Sequence, residues 1–215
     1  CNSSIPPEIG NLTNLNILGL EDNYISGEIP LEICNQGDSS PLLTNNNLCP
    51  PYPDCLSEDD IGYQDTSECP PSTIHVPEDF PTIQEAIDYS IDGDSILVAA
   101  GTYYENINFN GKNISVIGED RETTIIDGGQ NGTVVVFEND ESSALLDGFT
   151  LTNGANSYGG GGIAIVFSSP NLNNLIIENN SAEWDGGGID IIGNNSSQLS
   201  NLIVRNNVSQ WGAGI

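Results

Sequence analysis

The segment from Gly148 to Ile215 repeats one sequence pattern three times. Each copy begins with an alternating apolar run that ends at an asparagine: Phe149-Thr-Leu-Thr-Asn153, Leu175-Ile-Ile-Glu-Asn179 and Leu202-Ile-Val-Arg-Asn206. The asparagines recur at intervals of 26 and 27 residues. Similarity at a fixed period of this size is typical of a solenoid, in which each repeat forms one coil and neighbouring coils bury each other's apolar faces.

Each copy then passes through an aromatic residue and a glycine run to an isoleucine. The residues at these equivalent positions are Tyr158, Trp184 and Trp211, followed by Ile163, Ile189 and Ile215. Within each copy the apolar residues alternate, which is the period of a β-strand and not of a helix. Strands separated by Gly, Asn and Ser corners, with one coil per repeat, predict a parallel β-helix.

Six short motifs precede these repeats. They are Thr82-Ile-Gln-Glu-Ala-Ile87, Asp92-Gly-Asp-Ser-Ile-Leu-Val98, Ala100-Gly-Thr-Tyr103, Glu105-Asn-Ile107, Ile114-Ser-Val-Ile-Gly118 and Thr124-Ile-Ile-Asp-Gly128. Together they resemble the N-terminal coils of pectin-lyase-like right-handed β-helix proteins. The resemblance covers residues 74–215 and implies a mainly β solenoid, a right-handed parallel β-helix. It implies no particular activity, because one fold hosts many functions.

The start of this region also predicts a short helix. Thr82 and Glu85 have the spacing of a capping box, and Ile83, Ala86, Ile87 and Ile91 form an apolar stripe at helical spacing. An amphipathic helix before the first coil is expected to cover the open end of the β-helix core. The alternative is a helix that binds a partner.

The first 34 residues carry a different repeat. Leu12-x-x-Leu15-x-x-Leu18-x-Leu20-x-x-Asn23-x-Ile25 matches the leucine-rich pattern, and the segment resembles the end of a plant-type leucine-rich repeat array. The pattern predicts a short strand lined by Leu18 and Leu20, with Asn23 bonded to the backbone of neighbouring turns. Cys1 aligns with Ile25, one repeat later, so we expect both ends of this sequence to be truncations of a longer protein.

The cysteines are confined to the first third of the chain. We expect disulfides among Cys34, Cys49, Cys55 and Cys69, an unpaired Cys1, and therefore an oxidising, extracellular or cell-surface location. The sequence does not choose among the three possible pairings. A zinc site is the alternative, although the close pairs of zinc ribbons are missing.

These patterns divide the chain into three predicted segments. Residues 1–34 are a leucine-rich repeat fragment, residues 35–72 a cysteine-containing cap with an acidic linker, and residues 73–215 a β-helix.

The charge is strongly negative, with 31 acidic and 3 basic residues and a formal net charge of −28. Nucleic acid is excluded as a partner, because phosphate binding needs lysine and arginine. No apolar run reaches the roughly 18–20 residues of a membrane span. The acidity indicates either a solubility adaptation or binding of a divalent cation such as calcium, although Asp59, Asp60 and Asp65 do not follow the calcium-loop spacing.

The aromatic positions are the candidate ligand-binding residues. With spacings close to one coil, Tyr158, Trp184 and Trp211 are expected to lie above one another, as a platform for a sugar polymer or as an inward or edge-on stack that fills space beside the glycines. Asn153, Asn179 and Asn206 are expected to form a structural amide ladder.

No catalytic constellation is visible in this sequence. His75, the one histidine, is expected to be structural. Glu178, Asp190 and Arg205 are expected to be surface charges, or else an acid–base cluster, and neither Arg121 nor Arg205 lies in a motif of the pectin methylesterases.

The leading hypothesis is a secreted or cell-surface binding protein that recognises polysaccharide or glycoprotein. The rival is a polysaccharide-active enzyme, a lyase or an esterase, whose active site lies on coils beyond residue 215. A purely structural spacer is the third hypothesis.

Overall fold

The computed structural model describes residues 4–193 and 195–215, and the chain is mainly β. It divides into two compact units, one ending at Pro70 and the other running from Pro71 to Ile215. Cys1, predicted to be unpaired, lies outside the described residues. The division into residues 1–34, 35–72 and 73–215 stays a prediction.

The first unit is a stack of short turns. It contains two 3-10 helices (Pro7–Asn11 and Leu31–Asn35), strands β1 (Ser26–Glu28) and β2 (Asn47–Cys49), and helix α1 (Glu58–Ile61). Strands β1 and β2 pair in parallel. At the predicted strand of Leu18 and Leu20, the structure has a single bridge, from Gly19 to Leu42. The buried core consists of Ile5, Leu18, Ile29, Ile33, Leu43 and Leu48.

A buried asparagine joins the first two of these turns. Asn46 is 2% exposed, and its Nδ2 donates to the carbonyl oxygens of Leu20 and Leu43 at 2.8 and 2.9 Å. Its Oδ1 accepts from the Ile25 N–H at 3.0 Å. Asn23, predicted for this role, donates to carbonyl groups of its own turn instead.

A glutamine repeats the arrangement one turn later. Gln64 Nε2 donates to the carbonyl oxygens of Leu43 and Ile61, and its Oε1 accepts from the Leu48 N–H at 3.1 Å. The stacking therefore continues past Asn35.

Two disulfides cross-link the first unit, as the sequence predicts. Cys34 is bonded to Cys55, and Cys49 to Cys69. The structure thereby selects one of the three pairings that the sequence left open.

The second unit is a parallel β-solenoid of about five turns, which confirms the predicted solenoid. Its strands, in chain order, are β3 (Thr73–Val76), β4 (Ser95–Val98), β5 (Gly101–Tyr103), β6 (Ile107–Asn108), β7 (Ser115–Gly118), β8 (Thr124–Asp127), β9 (Val135–Phe137), β10 (Leu145–Asp147), β11 (Thr150–Thr152), β12 (Ala155–Asn156), β13 (Ile163–Val166), β14 (Asn171–Asn173), β15 (Ile176–Glu178), β16 (Ser181–Ala182), β17 (Ile189–Ile192), β18 (Gln198–Ser200) and β19 (Ile203–Arg205).

These strands form three main sheets, each of which receives one strand from successive turns. The first sheet has the order β3-β4-β7-β10-β14-β18, the second β5-β8-β11-β15-β19, and the third β6-β9-β13-β17. Strands β12 and β16, which follow β11 and β15 in the chain, pair with each other. All of these pairings are parallel, so equivalent residues of successive turns lie directly above one another.

The core is built from columns of similar side chains. Along the third sheet, Ile107, Val135, Ile163 and Ile189 are all buried and in register. Next to them the rings of Phe109 and Phe137 have centroids 4.3 Å apart. Such columns remove apolar surface from water in every turn, at roughly 25 cal/mol per Å².

Helix α2 (Ile83–Tyr89) follows β3 and packs against β3, β4 and β6. Its Ile83, Ala86 and Ile87 side chains are fully buried in the solenoid core. The Thr82 hydroxyl accepts from the Glu85 N–H at 3.2 Å, which is half of the predicted capping box.

A carboxylate from the following turn completes the start of this helix. Glu105 accepts from the N–H groups of Ile83 and Gln84, each at 3.0 Å. These N–H groups of the first helical turn have no acceptor within the helix, so the carboxylate satisfies them and complements the helix dipole.

Candidate functional site

The three aromatic residues singled out by the sequence lie one turn apart along the solenoid. The backbone N–H of Trp184 donates to the Tyr158 carbonyl at 2.9 Å, and the backbone N–H of Trp211 donates to the Trp184 carbonyl at 2.8 Å. We call Tyr158, Trp184 and Trp211 the aromatic ladder. Its backbone is thus held by hydrogen bonds between neighbouring turns.

The side chains of the aromatic ladder are exposed. Tyr158 is 77% exposed, Trp184 41% and Trp211 56%. The indole rings of Trp184 and Trp211 are stacked, with centroids 5.5 Å apart and planes inclined by 29°. Each indole therefore turns one face toward the other, and the ring edges and the outer faces are the surface left for a ligand.

Glycines shape the corner that follows each aromatic residue. Gly186 has φ +50°, and a Cβ there would collide with the carbonyl oxygen of Ile189. Gly159 allows the Asp190 side chain to approach the backbone closely, because a Cβ at this position would collide with Asp190 Oδ2. The glycine run therefore brings a carboxylate onto the backbone of the neighbouring turn.

Two aspartates lie at this corner. Asp185 follows Trp184 directly and forms parallel bridges with Gly159 and Trp211, while Asp190 lies on β17 and is half-buried. Burial raises the pKa of the Asp190 carboxyl, and the negative charge of Asp185 raises it further. The aromatic ladder thus has a carboxyl group with an altered proton affinity beside it, at a residue that the sequence predicted to be a surface charge or else part of an acid–base cluster.

The asparagines of the repeat have a backbone role. Asn153, Asn179 and Asn206 all adopt left-handed backbone, with φ values of 56°, 57° and 55°. Asparagine is one of the few residues with a side chain that tolerates this conformation. The recurring asparagine therefore marks the sharp turn that follows β11, β15 and β19 of the second sheet.

The hydrogen-bonded amide ladder runs through the next residue instead. Asn180 is 1% exposed, and its Oδ1 accepts from the Gly154 N–H at 2.7 Å. Its Nδ2 donates to the carbonyl of Leu151 and to Asn207 Oδ1, each at 3.1 Å. The sequence signal was the pair of adjacent asparagines in the second and third repeats, and the prediction placed the amide ladder one residue too early.

The three charged residues considered for an acid–base cluster are not brought together as one group. Arg205 Nε lies 2.6 Å from Glu178 Oε2, on neighbouring strands of the second sheet. Asp190 is on the third sheet. An ion pair between exposed side chains stabilises the fold by little.

In the described part of the chain, no group of three or more His, Cys, Asp or Glu residues is placed to hold a metal ion. The Asp60 and Asp65 carboxylates accept hydrogen bonds from Ser57 and Ser67. Within residues 4–193 and 195–215, no helix combines the length and the apolar character that a membrane crossing requires.

The two disulfides are consistent with an extracellular protein, since such bonds persist in oxidising compartments. Comparison with protein-family models, with curated proteins and with solved structures finds no match to this chain.

Proposed function

We propose that this chain belongs to a secreted or cell-surface binding protein, and that the aromatic ladder recognises the sugars of a polysaccharide or glycoprotein. The observation that carries the proposal is the stacked pair of Trp184 and Trp211, which is left exposed to solvent. Large apolar rings gain little folding free energy at such a position. Exposed aromatic groups beside polar ones are typical of interaction sites.

The chemistry of the corner suits a sugar. The C–H groups of a sugar ring pack against aromatic edges and faces, and its hydroxyl groups donate to carboxylates. Asp185 lies next in sequence to Trp184 and supplies such an acceptor. Neighbouring strands lie about 4.8 Å apart, so a polymer aligned with the solenoid would meet equivalent groups on successive turns.

The finer features of the fold are part of the same proposal. We propose that the solenoid is a right-handed, pectin-lyase-like β-helix, in which α2 covers the end of the core. Support comes from the motifs between Thr82 and Gly128 and from the buried apolar face of α2. We also propose that the first unit is the end of a leucine-rich repeat array, supported by the inward amides of Asn46 and Gln64.

A polysaccharide-active enzyme is the second candidate. The favouring observation is the raised pKa of Asp190 beside Asp185, next to the aromatic ladder. Carboxyl groups with raised pKa serve as proton donors in glycoside cleavage. Release of reducing ends or of unsaturated sugars from a bound polysaccharide, abolished in Asp190→Asn, would favour this candidate over simple binding.

The test is a glycan array probed with the full chain and with variants. We expect binding by the wild type and its loss in the Trp184→Ala/Trp211→Ala double variant. Tyr104→Ala is the matched control, because Tyr104 is 78% exposed and lies outside the aromatic ladder. Circular dichroism verifies that each variant is folded. An array without a ligand, or equal binding by the folded double variant, would refute sugar recognition at the ladder and favour a structural stack.

A further inference from the structure

A groove opens on the outer face of the first sheet, well away in sequence from the aromatic ladder. Its volume is about 520 Å³, within the roughly 300–1,000 Å³ of small-molecule sites. Three successive turns line it: residues 75–78 on and after β3, residues 97–99 on and after β4, and residues 117–119 on and after β7. All of these residues belong to the second unit.

The floor of the groove is apolar although it faces outward. His75, Leu97 and Ile117 are in register on neighbouring strands. They alternate with the buried Ile74, Val76 and Val98, so they project from the opposite face of the sheet. Leu97 is exposed. A leucine and an isoleucine side by side on the solvent face gain nothing from the solenoid core.

The same column is polar in the turns that follow. Its next members are Asp147, Asn173 and Ser200. Asn173 Nδ2 donates to Asp147 Oδ2 at 2.7 Å, and Ser200 Oγ donates to Asn173 Oδ1 at 2.8 Å. The outer face therefore carries a hydrogen-bonded polar ladder except at the turns where the groove lies.

The charges at the groove are acidic. Glu78 and Glu119 line it, and Glu119 Oε2 accepts from the Ala100 N–H at 3.0 Å, which orients this carboxylate. His75, in the same column as Leu97 and Ile117, has its Nδ1 3.4 Å from Asp79 Oδ2. Among the described residues that line the groove, none is a lysine or an arginine.

We propose that this groove binds a small organic cation with an apolar body. The alkyl or aryl part would lie on Leu97 and Ile117, and the ammonium or guanidinium group would face Glu78 and Glu119. An anionic ligand of the same shape is disfavoured by these carboxylates and by the net charge of −28. The site is independent of the sugar recognition proposed for the aromatic ladder.

The experiment uses the full chain and three ligands that differ only in their polar end. These are 4-phenylbutylamine, 4-phenylbutanol and 4-phenylbutyrate, compared by saturation-transfer NMR and isothermal titration. We expect the amine to bind about fivefold more tightly than the alcohol, as for a partly exposed ion pair, and the carboxylate to bind most weakly. Equal affinities for all three, or no binding of the amine, would overturn the proposal.

Variants locate the site. Leu97→Ser removes apolar floor at an outward position, and Glu119→Gln removes charge while keeping an acceptor for the Ala100 N–H. Both should weaken amine binding, whereas Glu138→Gln, an exposed carboxylate outside the groove, should leave it unchanged. If Leu97→Ser fails to fold, the affinity of Glu119→Gln for the amine decides whether the groove is the binding site. Unchanged affinity for the amine in folded Glu119→Gln contradicts the proposed charge contact. Tryptophan fluorescence tests sugar binding at the aromatic ladder, and the amine titration tests the groove. Failure of one proposal therefore does not imply failure of the other.

Discussion

The backbone N–H of Trp211 donates to the backbone carbonyl of Trp184 at 2.8 Å, and the centroids of the two indole rings are 5.5 Å apart. The strand-like pairing of two turns therefore sets the ring spacing, and side-chain packing in the core does not. Trp184 and Trp211 are the two tryptophans of the chain. All tryptophan fluorescence of this protein consequently comes from the candidate site.

Replacement of Asn180 by alanine should destabilise the solenoid strongly. The change removes the acceptor of the Gly154 N–H and a donor to the Leu151 carbonyl in a buried place. We expect a loss of about 2–3 kcal/mol in the free energy of unfolding, measured by urea denaturation with tryptophan fluorescence. The control is Asn179→Gly at the neighbouring exposed position, where φ is 57°. Glycine accepts this conformation, so an equally large loss there would contradict the assignment of the ladder to Asn180.

The buried carboxylate of Glu141 should make stability depend on pH. Burial by itself raises the pKa of Glu141, but hydrogen bonds from Ser168 and from the Asn139 and Gly111 N–H groups outweigh it, and the pKa lies below its ordinary value. A carboxyl whose pKa is depressed by folding stabilises the folded state above its unfolded pKa, near 4.5, and this stabilisation is lost as the pH falls through the folded value.

The measurement is the difference in unfolding free energy between wild type and Glu141→Gln across this range. We expect about 2–3 kcal/mol at neutral pH, from the unsatisfied buried donors, and a smaller difference in acid. Glu138→Gln is the control, because Glu138 is exposed and accepts from Asn108. A difference for Glu141→Gln that is the same at pH 7 and at pH 3 would contradict the account.

Reduction should destabilise the first unit selectively. Each disulfide closes a loop of about 20 residues, so its removal costs about 3 kcal/mol in the chain-entropy estimate. Far-UV circular dichroism should show a lower melting temperature in reductant for part of the signal. Tryptophan fluorescence, which comes entirely from the second unit, should report an unchanged unfolding transition. Mass spectrometry of unreduced peptides checks the pairing directly, and a Cys34–Cys49 linkage would refute it.

The regular turns were predictable because their length hardly varies. Ile163 and Ile189 are 26 residues apart in the sequence and pair in register in the third sheet. The earlier turns vary: Ser95 pairs with Ser115, 20 residues later, and Ser115 with Leu145, 30 residues later. Without a constant period, sequence spacing could not align His75, Leu97 and Ile117, so the groove was missed.

Other misses have equally local causes. The pattern at Asn23 predicted the inward amide of the first unit, but the amides that bond the backbone of neighbouring turns are those of Asn46 and Gln64. The second of these is a different residue type at a shorter spacing, which hides the repeat. For Asn179 and Asn180, alternation identified the strand end, yet only the backbone conformation shows which of two adjacent amides turns inward.

The central claim is that the aromatic ladder binds sugar, and tryptophan fluorescence tests it most directly. The full chain would be titrated with polysaccharides of differing backbone and charge, in parallel with Tyr158→Ala and Tyr104→Ala. The account predicts a saturable change in emission for at least one polysaccharide, weakened by Tyr158→Ala and unaffected by Tyr104→Ala. A polysaccharide that binds with no change in tryptophan emission, or no saturable response to any of them, would contradict it.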